Sequence, residues 1–164
     1  MIYTYQYASP LGKIIFASDG RSLTGLWFDG QKYFDASLIK EAEEVRLPVF
    51  DETVCWLDTY FSGRSPDFTP KLNPDGTPFR KSVWDILLTI PFGKTMTYGE
   101  IADKIAAQTG IRKMSAQAVG GAVGHNPISI IIPCHRVIGS DGNLTGYAGG
   151  IDIKTYLLKI EKSL

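Results

Sequence analysis

The stretch SIIIPCHRVIG, residues 129–139, decides how this chain is interpreted. It begins with a run of β-branched apolar residues, which is typical of a segment buried in a core. The run ends at Pro133, and the next three residues are Cys134, His135 and Arg136. Neighbouring side chains on an extended segment point to opposite sides, so a thiol and an imidazole meet here only if the chain turns. Pro133 favours such a turn.

A thiol beside an imidazole indicates nucleophilic chemistry. A free cysteine is only a few per cent thiolate at neutral pH, so it needs a neighbouring base or positive charge to react well. His135 could take the proton from Cys134, directly or through water, if a carboxylate orients its far ring nitrogen. Glu161 is the best placed acid, because it lies on the flank of the last predicted apolar helix stripe. These residues alone leave open a cysteine hydrolase, a redox thiol and a group acceptor.

Two short helices are predicted before this segment. Thr97 and Glu100 form a T-x-x-E capping box at the start of the first helix, and Gly110 closes it. Ser115 caps the second helix, AQAVGGAV. Two short helices joined by a glycine-containing turn are the pattern of a helix-turn-helix, although many helical hairpins of this kind bind no nucleic acid.

The second of these helices has almost no side-chain bulk. Its small residues are Ala118, Gly120, Gly121, Ala122 and Gly124. Glycine lowers helix stability, so we expect something to compensate. A face without side chains permits close packing against another helix, and it equally permits insertion into a confined space such as a DNA groove. The spacing leaves both interpretations open.

The first half of the chain is predicted to begin with a β-meander. The segments IYTYQYA, GKIIFAS and SLTGLWF are separated by turn signals and read as three strands. Residues 35–46 are polar and compatible with a helix. A further helix is predicted near residues 51–62, capped by Asp51, with Cys55 buried inside it as a small hydrophobe. Its residues at helical spacing are Val54, Leu57, Asp58 and Phe61.

A linker is predicted at residues 63–78, which hold four prolines and two glycines. We therefore expect two domains, residues 1–75 and residues 76–164. The second domain would open with a helix capped by Thr77 that runs through Ile90. It would close with a helix over residues 151–162, whose apolar stripe is Ile153, Tyr156, Leu157 and Ile160.

Composition excludes several classes of protein. The chain has 164 residues, of which 44% are hydrophobic and 21% charged, as is usual for soluble domains. No apolar run approaches the roughly 20 residues that span a bilayer, and the N-terminus lacks the pattern of a signal peptide, so we expect an intracellular protein without membrane contact. With two cysteines and two histidines, neither a disulfide framework nor a structural zinc site is expected.

Charge is unevenly distributed along a chain whose formal net charge is zero. Residues 1–75 contain 11 acids and 7 bases, whereas residues 76–164 contain 6 acids and 10 bases. This difference would let the second half face a polyanion while the first half turns away. Ordinary solvated surface explains the same numbers.

From about Phe79 to Glu161 the sequence resembles the O6-alkylguanine-DNA alkyltransferases, the methylated-DNA–protein-cysteine methyltransferases. The motifs that carry the resemblance are TYGEIA, AVGGAVGHNP, IIIPCHRVIG and GYAGG. Residues 1–75 match this family only in strand-rich character and length. The resemblance implies an α+β fold, in which a ribonuclease H-like α/β domain precedes a helical domain with a helix-turn-helix and the active-site cysteine. It also implies direct reversal of DNA damage without a cofactor, in which the flipped guanine passes its O6-alkyl group irreversibly to the cysteine.

The resemblance also implies roles for individual residues. Cys134 would accept the alkyl group, and His135 would act as its base through a bridging water, oriented by Glu161. Asn126 would be the hinge that ties the recognition helix to the active-site segment. Tyr98 would help to rotate the target nucleotide and would protonate the leaving guanine.

The remaining implied contacts are with the substrate base and the duplex. The backbone carbonyls of Val137 and Cys134 would meet the base edge, and the recognition helix would enter the minor groove, about 6 Å wide, without reading sequence. Arg136 would have a polar structural role next to the site. The full set of implied substrate or DNA contacts is Gln117, Ala118, Gly121, Val123, Arg136, Val137, Tyr147, Ala148 and Gly149.

One position departs from the family pattern. The recognition helix of the family typically carries an arginine that fills the gap left by the flipped base, and Gln117 stands at that position here. Glutamine lacks the charge of a guanidinium and stacks less well. We therefore expect weaker or more salt-sensitive capture of the flipped state, with the chemistry retained.

Two other functions remain to be distinguished from alkyl transfer. Silent damage-recognition relatives replace the acceptor cysteine, usually with tryptophan, whereas this chain keeps Cys134. A cysteine hydrolase would turn over many times and would ignore DNA. The expected partner is double-stranded DNA, and the expected oligomeric state is a monomer.

Overall fold

The structure, a computed structural model, describes residues 2–34, 37 and 42–164. The chain forms two compact units, one of Met1–Asp75 with Pro127–Ser129 and one of Gly76–Asn126 with Ile130–Leu164. The first unit contains a sheet and the second is mainly helical. This confirms the predicted α+β class. None of the described helices is long and apolar enough to cross a membrane.

The first unit is built on the predicted meander, which the structure confirms. Its three antiparallel strands are β1 (Tyr3–Ser9), β2 (Gly12–Ser18) and β3 (Leu23–Phe28). Among the described residues one more strand, β4 (Glu43–Glu44), pairs in parallel with β1, so the strand order is β3-β2-β1-β4.

β4 lies within residues 35–46, which were expected to be compatible with a helix. That expectation is wrong at residues 43 and 44, because backbone pairing to the free edge of β1 overrides local propensity. Residues 35, 36 and 38–41 lie outside the described part of the chain.

A helix covers this sheet in the first unit. α1 (Pro48–Phe61) packs Phe50 against Phe16 of β2, with ring centroids 5.9 Å apart. Both rings are fully buried. Because β2 is a central strand, its residues from Ile14 to Ser18 are all buried and do not alternate between core and solvent.

Two predictions about α1 are wrong. The helix begins at Pro48, three residues before the expected cap, and Leu47 occupies the N-cap position, so Asp51 lies in the first turn. Cys55 is exposed, not buried. The buried face runs through Thr53, Trp56, Leu57 and Tyr60. Trp56 is buried on this face, and its neighbour Cys55 faces solvent.

β3 lies at the sheet edge and pairs with two other segments of the first unit. Leu23 N–H donates to the Lys71 carbonyl at 2.8 Å. Leu26 donates to the Pro127 carbonyl and accepts from Ser129 N–H, both at 2.9 Å. Residues 127–129 therefore pair with the outer edge of β3, so that its backbone groups find hydrogen-bond partners there.

The second unit begins with helices whose caps were predicted correctly. α2 (Pro78–Leu87) has Thr77 as its N-cap, and the helix ends at Leu87, three residues before the predicted end. α3 (Tyr98–Thr109) has the Thr97–Glu100 capping box, and Gly110 closes it in the left-handed conformation with φ 73°.

A helix pair and a short sheet complete this unit. α4 (Ala116–Gly124) is capped by the Ser115 hydroxyl and packs against α3, as the helix-turn-helix pattern predicts. Within the described residues, β5 (Met96–Thr97) and β6 (Val137–Ile138) pair in parallel as a two-stranded sheet. Strands of two residues have no periodicity, so these two could not be predicted from the hydrophobic pattern.

The last helix, α5 (Ile151–Ile160), has a different buried face from the predicted one. The apolar spacing predicts that Tyr156 is buried, but its exposed fraction is 39%. The buried residues are Lys154, Leu157, Leu158 and the C-cap Glu161. This spacing of three, four and seven residues is the predicted stripe rotated by one residue, and a lysine within it could not be expected from hydrophobic periodicity.

Candidate active site

The predicted turn after Pro133 is present. Cys134–Arg136 form a single turn of 3-10 helix, and all three residues are buried. The Ser129–Ile132 run before it is buried as well. A turn at this point brings the thiol and the imidazole into one buried neighbourhood, whereas an extended segment would separate them.

Ile130 holds the chain in an unusual conformation four residues before the cysteine. Its φ is 69°, in the left-handed region, and its side chain is fully buried. A β-branched residue rarely adopts this conformation, which costs about 1–3 kcal/mol and persists only where the surroundings impose it. On the far side of the turn, the Ile132 carbonyl accepts from Asn126 Nδ2 at 2.7 Å and from Cys134 N–H at 2.8 Å.

Glu161 is the centre of a buried hydrogen-bond network. One carboxylate oxygen accepts from His135 Nε2 at 2.5 Å. The other accepts from Arg136 Nε at 2.7 Å and from Gly93 N–H at 3.2 Å. The structure thus brings together two of the predicted site residues, the histidine next to the cysteine and the acid from the end of α5.

The charges of this network follow from its surroundings. Burial acts to raise the pKa of Glu161, but hydrogen bonds from His135 and Arg136 and the positive charge of Arg136 outweigh it and lower the pKa to about 2. Burial lowers the pKa of His135 more than Glu161 raises it. At neutral pH the carboxylate is therefore ionised and the imidazole neutral. Because Nε2 donates to the carboxylate, Nδ1 is the nitrogen that can accept a proton.

The Cys134 thiol is held in its neutral form. Only 4% of the residue is exposed, and burial raises the pKa of the thiol. Hydrogen bonding from Asn126, the charge of Lys154 and hydrogen bonding from Tyr147 all act in the opposite direction. A raised pKa means that the thiol needs a base before it can react, and these three groups stabilise the thiolate once it forms.

Lys154 is a site residue that the sequence did not reveal. Its side chain is 0% exposed, and its ammonium donates to the Val137 carbonyl at 2.6 Å and to the Thr145 carbonyl at 3.2 Å. Burial lowers its pKa to about 8, while the nearby Cys134 opposes this. A lysine is usually solvated, so only its spacing to Leu157 and Glu161 could have indicated burial.

Two groups predicted to meet the substrate are already engaged. The Val137 carbonyl accepts from Lys154, and the Cys134 carbonyl accepts from Val137 N–H. Each carbonyl keeps a second lone pair for a further hydrogen bond. Arg136 is directed inwards, where Nη1 donates to the Ile90 carbonyl at 2.6 Å, as a structural role requires.

The residues predicted to surround the base lie near the ends of neighbouring elements. The Tyr98 hydroxyl, at the start of α3, accepts from Thr145 Oγ1 at 3.1 Å. Tyr147, Ala148 and Gly149 are half-buried in the segment between β6 and α5. Tyr147 is thus linked to the cysteine by its hydrogen bond, and Tyr98 is linked to the segment that contains Tyr147.

α4 has two different faces, and its small residues occur on both. Ala122 and Val123 are buried, and the Ala122 carbonyl accepts from Trp84 Nε1 at 2.9 Å. On the other face Gln117, Ala118 and Gly121 are exposed. A Cβ built on Gly121 would meet no atom within 4 Å. Small residues therefore allow close packing on one face and leave a low, open surface on the other.

The fold and the site together define a class of protein. It is a helix-turn-helix protein with a buried free cysteine next to a hydrogen-bonded Glu–His pair. The family model described as 6-O-methylguanine DNA methyltransferase, DNA binding domain, matches residues 78–163, and the ribonuclease-like domain of the same family matches residues 1–74. The chain belongs to the 6-O-methylguanine DNA methyltransferase family.

Individual relatives agree with the family models over nearly the whole chain. A methylated-DNA–protein-cysteine methyltransferase of Haemophilus influenzae is 43% identical, over 99% of this chain and 87% of its own. One from Methanosarcina acetivorans is 42% identical over 99% of both chains. The crystal structure of Mycobacterium tuberculosis OGT in complex with DNA superposes with a TM-score of 0.85 at 43% identity, over 98% of this chain and 93% of that one.

Proposed function

We propose that this chain repairs DNA by direct reversal, as a single-turnover methylated-DNA–protein-cysteine S-methyltransferase. It transfers the alkyl group of O6-alkylguanine in double-stranded DNA to its own Cys134. The observation that carries the proposal is the buried Glu161–His135 hydrogen bond next to a cysteine whose thiol is held neutral. Membership of the family and the names of the relatives support the same activity.

The first step is activation of the thiol. His135 Nδ1 takes the proton of Cys134 through a bridging water, and the ionised Glu161 stabilises the imidazolium that results. The positive charge of Lys154 and the hydrogen bonds from Asn126 and Tyr147 stabilise the thiolate. Because a base removes the proton, the Cys134 sulfur can react even though the pKa of its thiol is raised in the resting protein.

The second step is the transfer itself. The thiolate of Cys134 attacks the alkyl carbon, the new S–C bond forms, and the C–O6 bond breaks with its electron pair passing to the guanine ring. Guanine regains a proton at N1 as it leaves, and Tyr98 is the proposed donor. The proton first removed from the thiol passes from His135 through solvent and reprotonates Tyr98, so the products are S-alkylcysteine and an unmodified guanine.

Access to the base requires that it leave the stack, which costs a few kcal/mol and is easiest at a weakened pair. The exposed face of α4 is proposed to enter the minor groove, where Ala118 and Gly121 permit close approach without reading sequence. Gln117 would occupy the space left by the flipped base. The exposed Arg112 and Lys113, between α3 and α4, supply positive charge for phosphates.

Several finer points belong to the same proposal. Residues 76–164 would form the functional DNA-binding and transferase domain and residues 1–75 the ribonuclease H-like domain. The protein would act as a monomer, in the intracellular compartment that holds the DNA. Tyr147, Ala148 and Gly149 would wall the base pocket, and Val123, Tyr147 and Ala148 would set the size of the alkyl group that fits. Arg136 would keep Glu161 in place.

The two alternative functions are not favoured. A silent recognition module has no need of the Glu161–His135 pair, and Cys134 is retained. A hydrolase would use the same pair, but it would release its product and act again. Stoichiometry therefore separates the three functions in one experiment.

The test is a titration of the protein into an excess of duplex that carries O6-methylguanine, followed by quantification of the nucleosides. We expect lesion loss to stop at one guanine restored per protein molecule, and a Cys134→Ala variant to restore none. Loss beyond one equivalent would contradict single turnover. Binding without any loss would identify a recognition module.

A further inference from the structure

The chain between α4 and Cys134 contains the strained residue Ile130, and the neighbouring contacts explain how it is held. Residues 127–129, which belong to the first unit, precede it directly. Its φ of 69° and complete burial mean that the turn cannot relax unless its neighbours move. The groups that fix those neighbours therefore hold the turn that leads to the cysteine.

The side before Ile130 is fixed by a buried amide as well as by the strand edge. Gln31 Oε1 accepts from Ser129 Oγ at 3.2 Å and from Phe28 N–H at 3.0 Å. Both Gln31 and Ser129 are buried. One carbonyl oxygen thus ties the end of β3 to the residue immediately before the strained turn, alongside the backbone bonds of Leu26.

The side after Ile130 is fixed within the second unit. The Asn126 side chain and the backbone N–H of Cys134 both donate to the Ile132 carbonyl. The turn is therefore anchored three residues apart, at Ser129 and at Ile132, and only Pro133 lies between the second anchor and the cysteine. The short segment that leads to the cysteine is therefore held on both sides of the turn.

We propose that Gln31 and Ser129 are positioning residues for the transfer reaction, although neither touches the substrate. Their hydrogen bond holds the left-handed turn at Ile130, and the turn holds the Cys134 thiol in its buried site near the Glu161–His135 pair. This inference rests on the proposed function for the chemical step. It differs from that function in assigning a reaction role to residues of the first unit.

The decisive variant is Ser129→Ala, with Ser18→Ala as its matched control. Ser18 is also a buried serine of the first unit, and its hydroxyl donates to the Ser22 carbonyl at 2.6 Å, away from residues 127–129. Both variants remove one buried serine hydroxyl. All measurements use a Cys55→Ser background, so that Cys134 is the only remaining thiol.

The rate of methyl transfer at saturating lesion duplex is measured together with the apparent Kd for the duplex. We expect Ser129→Ala to slow transfer about fivefold, the factor that corresponds to one neutral hydrogen bond, and to leave Kd unchanged. Ser18→Ala should change neither value, even where it lowers the thermal midpoint as much. Equal rates in the two variants would overturn the proposal.

Reaction with iodoacetamide gives a readout that requires no DNA. If the turn relaxes, the thiol becomes less enclosed, so Ser129→Ala should react about fivefold faster with iodoacetamide while it reacts more slowly with the lesion. General destabilisation would not produce opposite changes well below the thermal midpoint. An unchanged iodoacetamide rate would overturn the proposal. This outcome can be told apart from failure of the proposed function, in which the lesion duplex would transfer no methyl group to wild type or to any variant.

Gln31 provides a second pair of variants. Gln31→Leu removes the shared acceptor and leaves two buried donors without it, so we expect transfer to slow at least about tenfold. Gln31→Glu keeps an acceptor oxygen in either protonation state and should restore the rate to within about twofold of wild type. A glutamate variant as slow as the leucine variant would show that the acceptor oxygen is not what matters, and would overturn the assignment to Gln31.

Discussion

Replacing Lys154 with methionine separates the stability of the fold from the reactivity of the site. The ammonium is fully buried, and its pKa falls from 10.5 to about 8. A difference of this size corresponds to about 3 kcal/mol by which burial disfavours the charged form. Methionine removes that penalty but leaves the carbonyls of Val137 and Thr145 without the two hydrogen bonds, each worth about 1 kcal/mol. We expect Lys154→Met to be as stable as wild type at pH 7, within about 1 kcal/mol.

The pH dependence of stability gives a sharper test of the same residue. Between the lowered pKa of about 8 in the folded chain and the reference value of 10.5, the unfolded chain binds more protons at Lys154 than the folded chain. Stability therefore rises with pH across this window in wild type, by up to about 3 kcal/mol. Urea unfolding at pH 7.5 and pH 10 should show this rise relative to Lys154→Met. Lys159→Met, at an exposed position of the same helix, should behave like wild type.

The rate of methyl transfer should fall in Lys154→Met, although its stability at pH 7 does not. The charge of Lys154 lowers the pKa of the Cys134 thiol, so its removal raises that pKa further and disfavours the thiolate. We expect Lys154→Met to transfer methyl groups at least about tenfold more slowly at pH 7, which corresponds to a shift of about one pKa unit. A Lys154→Met variant that is stable and transfers methyl groups at the wild-type rate would refute the role assigned to this lysine. The role would also be refuted if the unfolding free energy of wild type did not rise above pH 8 relative to that of the variant.

Three further predictions concern other parts of the site. Glu161→Gln keeps an acceptor for His135 but removes the negative charge, so we expect transfer to slow about 100-fold. The unfolding free energy should fall by about 3–5 kcal/mol, because Arg136 loses its buried charged partner. A wild-type transfer rate in single-turnover assays would contradict this. Gly121→Leu adds bulk to the open face of α4, so duplex binding measured by anisotropy should weaken at least about tenfold. The thermal midpoint should stay within a few degrees of wild type. Unchanged binding would exclude this face from the DNA interface. Gln117→Arg should speed repair about fivefold at low salt by better stacking and an added charge, and an unchanged or slower rate would argue against Gln117 as the residue that fills the flipped-base gap.

The local features of the fold were predictable from sequence because they depend on neighbours along the chain. The caps at Thr77, Thr97 and Ser115 and the left-handed Gly110 depend on a few consecutive residues and are present as predicted. The meander was predictable because each strand either alternates between apolar and polar residues or is flanked by a turn signal. The turn at Cys134 followed from the proline before it.

Features that depend on packing were not predictable in the same way. The predicted buried faces of α1 and α5 are wrong by one residue in each case, because the observed faces include Trp56 and Lys154, which the hydrophobic spacing did not place there. β4 and β6 exist only because a partner strand passes nearby.

In the candidate site, too, the features that depend on nearby residues were predictable and those that depend on packing were not. The carboxylate partner of His135 was anticipated from the position of Glu161 on its helix, and the hydrogen bond is present. The network is larger than the sequence indicated, because Arg136 and the turn at Gly93 also bind the carboxylate. The contact of Lys154 with the Val137 carbonyl joins residues 17 positions apart and has no local signal.

The most direct test of the proposed chemistry is the intact mass of the protein after incubation with duplex that carries O6-methylguanine, followed by peptide mapping. We expect a gain of one methyl group, located on Cys134, with the exposed Cys55 unmodified and with no gain from undamaged duplex. An unchanged mass, or a methyl group on Cys55, would contradict the assignment of Cys134 as the acceptor in this protein.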